Sequence, residues 1–360
     1  MNLFILNLQT DFSIIVGTLI IVFSVISICV FIAAFIVRHK RERNQQKEKK
    51  LVLQFQELFS NFLFSSENEE LLGISMNKFK PYTKNKFNKS ILLKTLFKIH
   101  KDMTGDIAEK LKMLYIELGF VDDSIKKIKS SKWHIQIIGM RELSEMRIQN
   151  VADDIAILSL DKNEILRREA QLALVKINGF QALNFLNNLT YTLSEWQQLL
   201  LLETIQYFNE KNLPPLEKLL KSENDSIVLF VLKISRIFNL ISLKDHLIQL
   251  LNHENETIKI DTIGVLGELQ ITDSLAILKR NYSKSSKVVQ LKTLELFGKI
   301  ADEQSIHFLA KQLQLYDYEI NLQVLRTIKT IEGKQKLEEL KPSLSSKQQN
   351  LLLHVMEENK

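Results

Sequence analysis

Apolar residues return along the second half of the chain at a fixed step. From Ile165, moving 31 residues at a time gives Trp196, Ile227, Ile258, Val289 and Ile320. Five residues into each unit stand Ala170, Leu201, Leu232, Ile263, Leu294 and Leu325. Twenty residues in stand Phe185, Leu216, Leu247, Leu278, Leu309 and Leu340, and twenty-four in stand Leu189, Leu220, Leu251, Tyr282, Leu313 and Leu344. Columns held in register over six units predict an all-α fold, an α-solenoid of period 31. Each unit supplies two helices that bury their apolar sides only by stacking on neighbours. The first helix of each unit is expected to follow a capping residue, Asn163, Ser194, Asp225, Asn255, Ser286 or Asp317.

Upstream the pattern changes. Residues 12–37 form a run of 26 without a formal charge, longer than the roughly 20 needed to cross a bilayer core. The run lacks the basic start and small-residue cleavage site of a secretory signal, so it reads as a transmembrane helix. Arg38, Lys40, Arg41 and Arg43 follow it and nothing basic precedes it. The positive-inside rule therefore places residues 1–11 outside a cytoplasmic membrane and everything after the span in the cytoplasm.

Leu51, Phe55, Leu58, Phe59, Phe62 and Leu63 then fall at helical spacing, as in a cytoplasmic extension of the span or an amphipathic helix lying on the membrane. The polar stretch at 65–70 reads as a break. The domain order expected is an N-terminal tail (1–11), the span (12–37), a basic juxtamembrane and amphipathic helix (38–64), a helical cap carrying a lysine-rich segment (65–129), repeats (130–345) and a C-terminal capping helix (346–360). The first of those repeats, from Trp133 to Leu160, is divergent, with Ile135, Met140, Leu143 and Ile155 near the expected places.

Composition supports long helices, with 10 Gly and 4 Pro against 45% hydrophobic residues. The net charge of +6 is concentrated near the span. Eight lysines and no acid lie between Lys78 and Lys101, interleaved with Phe79, Tyr82, Phe87 and Phe97. Such a stretch suits anionic lipid headgroups, through Lys84, Lys86 and Lys89, or nucleic acid, or a solvated helix face with Ile91, Leu92, Leu96 and Ile99 turned inward. The repeats are close to neutral, which argues against a nucleic-acid groove.

The chain holds one cysteine, Cys29, so no internal disulfide forms. Seven scattered histidines give no metal-binding spacing, His253-Glu254 being the nearest approach. No phosphate loop or nucleophile motif occurs, so no catalytic residue, cofactor or metal is assigned and the chain is not expected to be an enzyme.

The string ILRREAQLALVKI, with Arg167, Glu169 and Ala170 opening a first helix, resembles HEAT repeats of the short bacterial, PBS-lyase HEAT-like class over about residues 130–345. Five of the six units lack its arginine pair. The upstream region resembles membrane-anchored HEAT proteins of unassigned role. These resemblances imply a membrane-tethered scaffold that binds a protein partner such as a membrane or envelope-assembly enzyme, the alternatives being an enzyme or enzyme-assisting subunit of lyase-like type or a nucleic-acid-binding repeat protein. The partner surface is expected where units two and three put apolar residues at outward positions: Leu199, Leu202, Phe230 and Ile237.

Overall fold

The computed structural model describes residues 2–64, 73, 75–206, 208, 215–314 and 316–358, with side chains from residue 23 onward. The polar stretch at 65–70 and the side chains of the tail at 1–11 lie outside the described residues. Among those described the chain is all-helical, without strands. It divides into two compact lobes, residues 1–127 and 128–360.

The N-terminal lobe is built on one unbroken helix, α1 (Asn2–Leu63). From Phe23 its apolar part is exposed on all sides, and it is long and apolar enough to cross a membrane, a test that a signal sequence also passes. Farther along, Phe55, Phe59 and Phe62 are buried, one stripe spaced by three and four residues. Phe59 and Phe62 meet Phe79, and Phe55 meets Tyr82 edge-on at 5.0 Å. The segment at 38–64 is thus a direct continuation of the apolar helix, and its apolar stripe is covered by protein.

The covering elements are a turn at Lys80–Thr83 and α2 (Lys86–Lys101), capped by the Asn85 side chain. Ile91, Leu92, Thr95 and Leu96 form the inward face of α2. Helices α3 (Asp106–Glu117) and α4 (Phe120–Ile128) follow, divided by Gly119, whose φ of 70° ends α3 where a residue with a Cβ would be strained.

In the C-terminal lobe, α5 (Trp133–Glu145) and α6 (Ala152–Leu158) precede α7 (Glu164–Asn178), α8 (Glu195–Ile205), α9 (Leu216–Leu219) and α10 (Asp225–Ile237). Then come α11 (Lys244–Gln249), α12 (Glu256–Glu268), α13 (Ser274–Asn281), α14 (Lys287–Ile300), α15 (Ile306–Gln312), α16 (Tyr318–Leu340) and α17 (Ser346–Glu357). The long helices α7, α8, α10, α12, α14 and α16 are the first helices of units one to six. The second elements are shorter than expected and edged with 3₁₀ turns; in unit one it is a 3₁₀ run, Gly179–Asn188. In unit six it is the part of α16 after Gly333, where a φ of 78° breaks the helix.

Side-chain caps fix the register. Asn163, Ser194, Asn255, Ser286 and Asp317 each accept backbone N–H groups of the first turn. In unit three the cap is Asn224, not Asp225, which instead opens the helix and adds its charge to the positive end of the dipole. Counting from these caps, the third residue is buried in every unit: Leu166, Gln197, Ile227, Ile258, Val289 and Ile320. The fixed step of 31 from Ile165 therefore slips by one position in units one and two, where Ile165 and Trp196 face solvent. Cap-to-cap spacing is 31 residues everywhere except from Ser194 to Asn224, where it is 30.

A second regularity runs through the corners between units. The fourth residue after the cap is often a long polar side chain that folds back onto carbonyls of the preceding turn. Gln198 donates to Leu193 O, Gln290 to Tyr282 O and Ser285 O, Gln349 to Lys341 O and Leu344 O, and Arg167 to Asp161 O. Each such bond closes the corner between one unit and the next and satisfies a carbonyl that helix geometry leaves free.

Candidate functional site

The shortened step between units two and three is where the C-terminal lobe departs from its own rule. Helices α10, α12, α14 and α16 approach one another closely in sequence order, as do α7 and α8. Between α8 and α10 the junction rests on polar side chains instead. Gln198 donates to Ser226 O, Lys233 Nζ donates to Gln198 Oε1 at 2.8 Å, and the Ser226 hydroxyl accepts the Leu193 N–H. The Asn224 amide donates to the carbonyls of Leu189 and Tyr191. Beside this, Gln171, Tyr191 and Gln197 form a hydrogen-bonded triad with Arg167 stacked 4.5 Å from the Tyr191 ring. Phe180 of unit one reaches past unit two to Phe238 at the end of α10, with ring centroids 5.1 Å apart.

This junction sorts the four apolar residues expected to form a partner surface. Leu202 is 5% exposed and Phe230 fully buried, so both belong to the core. Leu202 turns inward because the register in unit two is one residue ahead of the 31-residue count. Phe230 is enclosed because α10, carrying IVLFVL, is buried on nearly all sides, as a helix apolar all round must be. Leu199 and Ile237 remain exposed. The outward face of α8 instead pairs Leu199, 54% exposed, with Trp196, 67% exposed, three residues apart and on one side of the helix. Ile165 stands at the equivalent of Trp196 on α7. Trp196 was legible only as a member of an apolar column; the cap at Ser194 turns it outward.

The basic residues separate as well. Arg38, Lys40, Arg41 and Arg43 lie exposed just after the apolar stretch, Arg38 pairing with Glu42 at 3.1 Å. Lys84 and Lys86 are exposed, but their part of the lobe packs on α1 around Phe55 to Phe62. At 1.5 Å per residue that is about 27–38 Å along the helix from Val37. A headgroup layer is roughly 5–8 Å thick, so with α1 standing across a bilayer these lysines lie beyond it. Lys89 is not a surface residue awaiting a ligand: it pairs with Asp123 and sits 5.5 Å over the Phe120 ring.

Other titratable groups serve packing. His253 Nδ1 accepts the Asn255 N–H at 3.0 Å and its Nε2 lies 3.9 Å from Asp225 Oδ1, so the His-Glu dipeptide is a corner between units three and four. Arg326 forks onto Glu358, and this pairing holds the carboxylate below its ordinary range. Burial raises the Tyr282 phenol. Among the described residues no group of three His, Cys, Asp or Glu side chains converges to hold a metal ion.

No family model matches the chain. No curated protein matches it either. Among solved structures, the X-ray structure of YibA from Escherichia coli matches at 18% identity, covering 74% of this chain and 97% of that one, with a TM-score of 0.39. The class defined by the residues themselves is an all-helical protein with one apolar N-terminal helix.

Proposed function

We propose that this chain is a non-enzymatic scaffold, a HEAT-like α-solenoid tethered by one transmembrane helix, with its repeats on the cytoplasmic side. Its partner is a protein at the membrane, docked on the outward face of α8. The observation that carries this is the exposure of Trp196 and Leu199 side by side where the unit-to-unit spacing shortens. Tryptophan is among the commonest anchors of protein interfaces, and contiguous exposed apolar side chains mark interaction surfaces. The tether supports the reading by confining the search to membrane partners. The basic cluster from Arg38 to Arg43 supports the orientation.

The test is crosslinking and mass spectrometry on the full-length chain solubilised in detergent. A co-purifying membrane protein with crosslinks near Trp196 is expected, and the double substitution Trp196→Ser, Leu199→Ser should leave helicity unchanged while reducing recovery of that partner about tenfold or more. Equal recovery with the variant sinks the assignment of the face. A protein without partners that turns over a small molecule sinks the scaffold reading.

A further inference from the structure

A groove of about 300 Å³ opens in the N-terminal lobe between α1 and α2, lined by Val52 and Gln56 from α1 and by Lys94, Thr95, Lys98, Ile99, Asp102 and Met103. Its walls are Val52, Ile99 and Met103, together with the methylene stems of the lysines, which lie along apolar surface while their ammonium groups stay in water. Lys94 and Lys98 are four residues apart and thus on one side of α2. Neither has a carboxylate partner among the described residues. Asp102, one turn further, reduces the charge of the rim without cancelling it. Lys89 on the same helix is paired with Asp123, whereas Lys94 and Lys98 hold their exposed ammonium groups at the rim of this groove.

We infer that the groove binds a single-chain anionic lipid, an aliphatic tail against Val52, Ile99 and Met103 with its acidic head between Lys94 and Lys98. Size selects one chain, because this volume is at the lower end of the roughly 300–1,000 Å³ of small-molecule sites. Position selects a free molecule over an acyl tail of the bilayer. Val52 lies 15 residues past Val37, about 22 Å along α1, well beyond a headgroup layer of roughly 5–8 Å. The binding chemistry is independent of the scaffold reading; only the route of entry rests on α1 standing across a membrane.

The experiment uses the full chain in nanodiscs of phosphatidylcholine with a diazirine analogue of palmitate, mapping the labelled peptides. Label is expected on peptides spanning residues 52–56 and 94–103, displaced by palmitate and not by an uncharged monoacylglycerol of the same length. Lys94→Glu with Lys98→Glu should lower that label about tenfold, and Ile99→Trp, which fills the groove, should abolish it while far-ultraviolet circular dichroism stays unchanged. Label confined to residues 12–37 would report insertion of the tether and overturn the groove. Displacement by the uncharged lipid, or label indifferent to folded variants of both kinds, overturns the assignment as well.

Discussion

Units three to six and the junction before them use the same kinds of residue to opposite ends. In units three to six the residues three, seven and eight positions after each cap are buried, as in Ile258, Thr262 and Ile263 or Val289, Thr293 and Leu294. Each first helix there lies close to the next. Between units two and three one residue is missing from the step, the close helix approach is lost, and polar side chains bridge the gap. The lesson is that a shortened corner is tolerated provided that the backbone groups it frees are met, here carbonyls by Gln198 and Asn224 and the Leu193 N–H by the Ser226 hydroxyl. The outer face of α8, with Trp196 and Leu199, stands in solvent, as Ile165 and Val288 do at the position of Trp196 in units one and five.

The comparison can be broken most forcefully at Phe230. Burying a carboxylate where that ring sits, in Phe230→Asp, should cost on the order of 4 kcal/mol or more, by loss of packing and by the charge. Trp196→Asp, the same change of chemistry on α8, should stay within about 0.5 kcal/mol. Urea denaturation of the full chain in neutral detergent, followed by circular dichroism, reads the two midpoints. If Trp196→Asp proved as damaging as Phe230→Asp, the outer face of α8 would be core and the contrast would fall.

This contrast also marks what the sequence made legible. The helical class, the six first helices and five of their six caps follow from period and polar punctuation. The cap of unit three is ambiguous in sequence because Asn224 and Asp225 are adjacent and both suit an N-cap, and this conceals the short step. Two neighbouring apolar residues, Ile165-Leu166, concealed the slip from the other side, since either satisfies the column. For Leu202 and Phe230 the 31-residue count points outward, but the cap, not the count, decides orientation. The staple at the fourth position has no signature in the sequence, because a glutamine four residues into a helix looks like ordinary surface. The groove under Lys94 and Lys98 needs one segment at 52–56 and another at 94–103, which no local pattern joins.

A smaller effect separates the regular caps by their chemistry. Asp317 accepts from the N–H groups of Glu319 and Ile320 and lies 3.1 Å from Lys287. The Ile320 N–H and the Lys287 ammonium hold its carboxylate below the ordinary aspartate value, against the opposing effect of desolvation. A carboxyl group whose folded pKa is depressed stabilises the fold above its unfolded pKa, and that contribution is lost as pH falls through the folded value. Asp317→Ala should therefore cost about 1 kcal/mol near neutral pH, with the gap from the parent closing on acidification. Asp317→Asn, which keeps a cap without a charge, should show a smaller loss near neutral pH, and that gap also closes on acidification because the titrating group is the parent's carboxylate. Thermal melts from neutral pH into the acid range read both gaps, and a pH-independent gap for Asp317→Ala would remove the carboxylate from the account.

The finest test of the junction rule lies at Asn321, fourth after the cap of unit six. Its side chain is fully buried, yet neither amide atom finds a hydrogen-bond partner among the described residues. By analogy with Gln290 and Gln349, whose bonds run five and eight residues back, the carbonyls it would meet are those of Tyr316 and Leu313. Leu313 O already accepts from Gln348, and a carbonyl has room for a second donor. Asparagine is one methylene too short to repeat the staple. Asn321→Gln should complete it and stabilise unit six by about 0.5–1 kcal/mol, the net worth of a hydrogen bond made where a buried donor was unmet. Native-state hydrogen exchange on the amides of α16 and α17 reads this locally, as slower exchange in the variant. Faster exchange would mean that the added methylene overfills the site, and that the corner of unit six is closed by Gln348 alone.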